Sequence, residues 1–407
     1  MKSKNIAVVA CAKSTFAGSA TIKLRFLNLL SCIEFDCHYV SSGIPPESDQ
    51  HPNSRIIFHT PSPKELGVKS DGADVIIGDL FTETIISVAL GESRRGKMPL
   101  IWGSALFPYG RACLNAKIEL IRRGVESRLI IFPVGADVWE IGTNLPLSVK
   151  AMLDHPAVDL VSTYSTKFAK EIADTFKVEN IVNALPPYVD ANRFKTISDQ
   201  SRLSLRKDMG LSDEDIVFVC HSNMRPIKRL DATIALFEYI REAIRERCVL
   251  LLVGPLSDTI NLPKDVRCLG YQKDVTPFLK MSDFFINTSL HDSFNTALIE
   301  AVACGTIPIT SSAPAVTECM ERYDCGYIFY MSPKLGKVKE VCDAPLDNLN
   351  IPYESASCFV CKCIQNRAYR QKLKFNGAKM IIENFSKDVC EKNLSEMIGF
   401  VTRSRGS

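Results

Sequence analysis

No stretch of the chain approaches the roughly 18 consecutive apolar residues that a membrane-spanning helix requires. The apolar run near the start, Ile6 to Ala12 in "MKSKNIAVVACAKS", has the length of a strand and not the pattern of a secretory leader. Charge of either sign is not in excess. Lys and Arg number 49 against 46 Asp and Glu, for a net charge of +3, so no electrostatic case exists for nucleic acid as a partner. Low-complexity tracts and solenoid periods are also missing. Cysteine, by contrast, is plentiful, at 15 residues. Without a leader, these read as reduced thiols and the chain as cytoplasmic. Their one cluster, Cys358, Cys361 and Cys363 in "SCFVCKCIQ", is followed by no fourth ligand at zinc spacing, so no metal is expected there and the three read as small hydrophobes.

What is present is an ordinary globular composition, 46% hydrophobic and 23% charged, in 407 residues, enough for roughly two or three domains. Short apolar runs alternate with helix-length amphipathic segments. Strands are expected at Ile6–Ala10, His38–Ser41, Ile56–His59, Val75–Ile77, Leu100–Trp102, Leu129–Pro133 and Leu160–Ser162. The rhythm restarts at "DIVFVCHS", "CVLLLVGP", "VRCLGY", "DFFINTS" and "IPITSS". Such alternation predicts α/β architecture, with parallel sheets covered by helices on both faces. The seam falls in "ALPPYVDANRFKT", where two prolines cannot continue a helix. The expected domains are therefore 1–188 and 189–385, with a last helix over 386–407 able to join the first.

Two constellations in the second half carry chemistry. In "SLHDSFNTALIEAVACG", Asp292 and Glu300 flank the start of an apolar helix. Ser293 or Asn295 would cap it, leaving the N–H groups of Ser293, Phe294, Asn295 and Thr296 for an anion such as a phosphate. Two acids beside an anion site make sense when each accepts from hydroxyls: Asp292 from a sugar, Glu300 from a ribose. In "HSNMRPIKRLD", Asn223, Arg225, Lys228 and Arg229 gather a donor and three cations at a strand's carboxyl end, a place for a diphosphate. After "VRCLGY", Gly270 permits close backbone approach, and main-chain groups of Tyr271 and Gln272 suit a nucleobase edge. The alternative for each piece is ordinary: a chance spacing of acids, or a solvated basic loop.

Taken in order, these segments resemble the C-terminal domain of retaining GT-B glycosyltransferases, whose acidic motif reads "EGFG…EAMACG" where this chain has "DSFNTALIEAVACG". The "SNMRPIKR" loop most resembles the enzymes that attach N-acetylglucosamine to malate in bacillithiol synthesis. The resemblance runs from about Asp215 to Glu318 and weakens before residue 185. It implies two doubly wound Rossmann-like domains facing a central cleft, the second holding a nucleoside-diphosphate sugar and the first an acceptor. It further implies retaining transfer without a metal or other cofactor, Lys228 and Arg225 stabilising the leaving diphosphate. Uridine is favoured over guanosine, and the acceptor, a small molecule or a glycan, is not legible. A non-catalytic sugar-nucleotide-binding subunit and a GT-B-fold epimerase or phosphorylase are the competing readings.

In the first half the resemblance assigns the loop "CAKSTFAGSAT" to the donor phosphate, with Gly18 approaching it and Lys13 nearby. "LIIFPVGADVWEIG" matches a segment ending H-G-x-D, with Val134 in place of His and Asp137 as the acid beside the reacting sugar. "PLIWGSALFPYGRACL" sets Trp102, Phe107 and Tyr109 in what reads as a loop, either flooring a planar ligand or simply packed. Asp79 either faces the cleft or caps the helix "TETIISVAL".

Overall fold

The structure, a computed structural model, describes residues 6–11, 18–41, 56–61, 73–135, 137–141, 144–179, 182–256, 262–331 and 342–403. The chain divides into two compact units, Met1–Pro187 with Cys390–Ser407, and Tyr188–Val389. Each is built around one parallel sheet.

The first unit carries β1 (Ile6–Cys11), β2 (Asp36–Val40), β3 (Ile56–His59), β4 (Met98–Ser104), β5 (Arg128–Phe132), β6 (Leu160–Thr163) and β7 (Val182–Ala184), in the order β3-β2-β1-β4-β5-β6-β7. Every pairing is parallel, for example Ala10 beside Trp102 and Trp102 beside Ile130. The helices α1 (Gly18–Cys32), α2 (Ala73–Arg94), α3 (Arg111–Arg122), α4 (Pro146–Leu153) and α5 (Thr166–Phe176) provide the crossovers. Strand β1 is buried along its whole length, as expected of a strand covered on both faces.

In the second unit, α6 (Asp199–Asp208) leads into β8 (Ile216–His221), α7 (Leu230–Ala243), β9 (Cys248–Val253), β10 (Val266–Cys268), α8 (Thr276–Met281) and β11 (Phe284–Asn287). Next come α9 (Thr296–Ala303), β12 (Ile307–Ser311), α10 (Thr317–Tyr323), β13 (Tyr327–Phe329), α11 (Tyr353–Gln365) and α12 (Arg367–Phe385). The sheet order is β10-β9-β8-β11-β12-β13, again all parallel. Strand order reverses between β8 and β11, so the loops leaving these two strands border the place where doubly wound sheets bind ligands. The last helix, α13 (Lys387–Arg403), belongs mostly to the first unit, where the Val401 carbonyl accepts from Arg128 Nε at 3.2 Å.

Three expectations need correction. Residues 75–77 are not a strand; they lie inside α2, and Asp79 is exposed on that helix instead of capping it. A short apolar run does not by itself distinguish strand from buried helix, and here the repeat Ile77, Phe81, Ile85, Ala89 continues at helical spacing. Trp102 lies inside β4, in keeping with the strand expected at Leu100–Trp102 and not with the loop also read there; it is fully buried and stacked on Phe26 with centroids 5.9 Å apart. Of the clustered cysteines on α11, only Cys363 is buried; Cys358 is exposed. Among the described residues no group of three or more His, Cys, Asp or Glu is placed to hold a metal ion, and no helix is long and apolar enough to cross a membrane.

Candidate functional site

The loop after β8 is shaped by its own hydrogen bonds. Ser222 Oγ accepts from the Met224 N–H at 2.9 Å, and Met224 takes a left-handed φ of 51°. The backbone of Gly254, after β9, presses against this loop: a Cβ there would lie 1.9 Å from the Ser222 carbonyl oxygen, so only glycine fits. The chain then forms a short 3-10 turn, Pro226–Lys228, and enters α7. Asn223 and Arg225 are exposed on the loop. Arg225 borders a cavity of about 320 Å³ shared with Met224, Pro226 and Arg229. Arg229 itself is buried, its guanidinium held by Asp231 through Nε at 2.9 Å and Nη2 at 2.6 Å. It is a bracing cation, which the sequence grouped with the ligand-facing ones.

The loop after β11 is stapled to that turn. The Leu290 N–H donates to the Ile227 carbonyl at 2.9 Å, and Thr288 Oγ1 to the Arg229 carbonyl at 2.8 Å. The third link is ionic. Lys228 Nζ meets Asp292 Oδ2 at 2.5 Å, with the side chains 15% and 11% exposed. The two loops named separately from sequence thus meet at their charged tips. Asp292 Oδ1 accepts from the Phe294 N–H at 3.2 Å, so that amide, proposed for an anion, is already engaged by the acid.

Helix α9 opens with Asn295 as its cap: Oδ1 accepts from the Leu298 N–H at 3.1 Å. Asn295 has φ 73°, which explains why the related motif has glycine there and why asparagine, the next most tolerant residue, replaces it. Thr296 is the first helical residue, Ser293 is buried, and Phe294 packs edge-on against Phe385 at 5.5 Å. Glu300 is buried on α9, close enough to His221 at the end of β8 for its charge to be felt. Burial pushes the His221 imidazole below its usual range, Glu300 partly opposes this, and Arg193 adds to the depression. His221 Nδ1 is buried with no hydrogen-bond partner among the described residues. Beyond β10, Gly270 adopts φ 64° and its carbonyl accepts from the Gly254 N–H at 2.9 Å. Tyr271 is 65% exposed, and Gln272 Nε2 turns back to the Leu269 carbonyl at 2.5 Å.

In the first unit, Asp137 is buried and consumed by backbone. Oδ2 accepts from the Leu106 N–H at 2.7 Å, and Oδ1 from those of Gly135 at 2.7 Å and Val134 at 3.1 Å. Burial raises its pKa against the opposing pull of these amides. The geometry makes it a brace between the 133–135 loop and the turn at 106. Gly18 opens α1; Lys13 and the rest of residues 12–17 lie outside the described residues. Trp102 carries Lys23 over its ring, the ammonium 3.4 Å from the centroid, and burial lowers that lysine's pKa.

A family model described as "Glycosyl transferases group 1" matches residues 201–334. The N-acetyl-alpha-D-glucosaminyl L-malate synthase of Bacillus anthracis is 22% identical over 302 residues, 72% of this chain and 75% of that protein. A glycosyltransferase crystal structure from Rickettsia africae superposes with a TM-score of 0.74 at 12% identity, over 98% of this chain and 99% of the other. The Anabaena protein HepE in complex with UDP does so with a TM-score of 0.70 at 14% identity, over 97% and 99%.

Proposed function

We propose, for a glycosyltransferase of GT-B fold whose residues 201–334 belong to group 1, a retaining and metal-independent transfer from a nucleoside-diphosphate sugar. The observation that carries this reading is the Lys228–Asp292 pair at the meeting of two strand-end loops, beside the start of α9. A diphosphate leaving group gains negative charge as the glycosidic bond breaks. Lys228 and the exposed Arg225 supply positive charge there, with the first amides of α9 adding dipole. One such preorganised donor contributes ~3 kcal/mol to transition-state stabilisation. Asp292, with one oxygen on Lys228 and the other on the Phe294 amide, keeps lone pairs for a hydroxyl of the transferred sugar. Glu300 accepts from the ribose, while Asn223 and the backbone at Tyr271 and Gln272 border the phosphates and base. UDP is favoured because HepE is a structural neighbour described with UDP.

The first unit takes the acceptor in this reading. Gly18, at the start of α1, keeps its reading as a donor-phosphate contact, and Asp137 shapes the loop at Val134 without touching the reacting atoms. Charge supplied by side chains makes a divalent ion unnecessary, and no co-substrate beyond the sugar nucleotide is called for. The test is turnover of UDP-sugars offered with small polar acceptors, with and without EDTA. Product with retained anomeric configuration and undiminished rate in EDTA supports the reading; activity that depends on added manganese overturns the metal-independent part.

A further inference from the structure

Beneath the Asp292 loop lies a polar network with no direct part in the transfer chemistry. Asn287, the last residue of β11, is 6% exposed. Its Oδ1 accepts from Ser289 Oγ at 2.7 Å and from Asn295 Nδ2 at 3.2 Å, and its Nδ2 donates to Thr310 Oγ1 at 2.9 Å. Thr310 passes its own proton to the Ser311 carbonyl at 3.0 Å, and Ser311 Oγ donates to the Ser289 carbonyl at 2.6 Å. One buried amide therefore ties together the end of β11, the adjoining β12 and the residue that starts α9.

Asn295 needs this tie. It holds a left-handed φ of 73°, where any side chain except glycine's is under strain, and its amide is gripped at both ends: by Leu298 N–H on Oδ1 and by Asn287 on Nδ2. The related motif places glycine at this point, which accepts the conformation freely but fixes nothing. Asparagine here exchanges that freedom for a defined side-chain anchor, and Asn287 is the group that receives it.

We propose that Asn287 is a positioning residue for sugar-nucleotide binding. By clamping Asn295 it fixes the run Ser293–Thr296, and with it the start of α9 and the carboxylate of Asp292 that holds Lys228. The proposal rests on the donor site as read above. It is specific to this chain's asparagine pair, since a glycine at position 295 leaves Asn287 nothing to clamp.

Calorimetric titration with UDP, beside thermal melts, tests it in the variants Asn287→Ala, Asn287→Asp, Asn295→Gly and the double Asn287→Ala/Asn295→Gly. Loss of a buried hydrogen-bond partner predicts UDP affinity about tenfold weaker in Asn287→Ala, while Asn287→Asp, which keeps the acceptor facing Ser289 and Asn295 but turns the donor to Thr310 into a second acceptor, falls between Asn287→Ala and the wild type. With Asn295→Gly as the second background, adding Asn287→Ala to it costs about twofold or less. An equal penalty in both backgrounds, or a lowered Tm with unchanged affinity in the folded fraction, overturns the proposal. Should Asn287→Ala fail to fold, Asn295→Ala against Asn295→Gly carries the test. Both lose the amide, and only alanine strains the turn, so equal UDP affinity in these two overturns it as well. Wild-type protein that binds neither UDP nor GDP brings down the donor-site reading and this proposal with it; wild-type binding without the background dependence brings down the proposal alone.

Discussion

The two units are built on the same kind of sheet, yet they treat charge differently. At the strand ends of the second unit, Lys228 and Asp292 remain partly exposed and meet each other across two loops, with Arg225 exposed nearby. In the first, the acid that sequence singled out is buried, and backbone amides take both of its oxygens. A buried charge must be fully partnered, whereas a charge meant for a ligand must keep a desolvation cost low enough to exchange partners. Partner exchange separates a binding group from a brace, and it can be broken experimentally.

The largest effect is expected at Lys228. Lys228→Ala removes the cation and should lower kcat by about 100-fold or more, the range seen on loss of one preorganised transition-state donor, while the melting temperature moves little. Full turnover at saturating and subsaturating donor would show that the pair is a surface ion pair with no catalytic weight. Asp137→Ala should behave in the opposite way. Three N–H groups, those of Leu106 and Gly135 buried, lose their acceptor, for a stability loss of roughly 3 kcal/mol, with UDP affinity of the folded protein unchanged. Denaturant unfolding beside UDP titration separates the two, and a stable Asp137→Ala protein with lost activity would return Asp137 to the reacting centre.

A finer comparison lies within the second unit. Glu300→Gln should weaken UDP and UDP-sugar alike, by about tenfold, because both carry the ribose. Asp292→Asn keeps the acceptor for the Phe294 amide and discharges the partner of Lys228. It should therefore leave free UDP bound at least as well and penalise turnover of the sugar-bearing donor. Equal losses for both ligands in Asp292→Asn would remove that residue from the sugar.

Much of this was legible in the chain because parallel strands buried on both faces read as continuous apolar runs; "IAVVAC" and "CVLLLV" are β1 and β9. The three-residue edge strands β7 and β13 went unseen, whereas β10, equally short and also at an edge, was read from "VRCLGY". Residues 75–77 failed for the related reason that a short apolar run inside a helix looks the same as a strand. At the site, spacing within one loop narrowed the cap to Ser293 or Asn295, and the fold takes Asn295. No spacing could give Lys228 with Asp292, 64 residues apart, or show that Arg229 turns inward to Asp231. Long-range pairing is decided by the register of β8 against β11, which is a property of the fold and not of either motif.

The smallest effect concerns protons. His221 sits behind Glu300 with its imidazole pKa depressed by burial, while the unfolded chain titrates near the ordinary value of about 6.5. Below that value the unfolded state therefore binds more protons than the native state, and stability falls as pH drops through the unfolded pKa; above it the two states bind equally and the contribution is flat. Protonation forced on the folded protein would set a buried positive charge that Arg193 disfavours and Glu300 favours. His221→Gln removes this titration. Its unfolding free energy, measured by urea melts from pH 5 to pH 8, should vary less with pH than that of the wild type, by under about 1 kcal/mol across the range. If Glu300 is the group that moderates His221, Glu300→Gln should steepen the wild-type slope, since the imidazolium loses a favourable neighbour. A shallower slope in Glu300→Gln would mean that the histidine does not sense Glu300, and would separate the end of β8 from the proposed ribose contact.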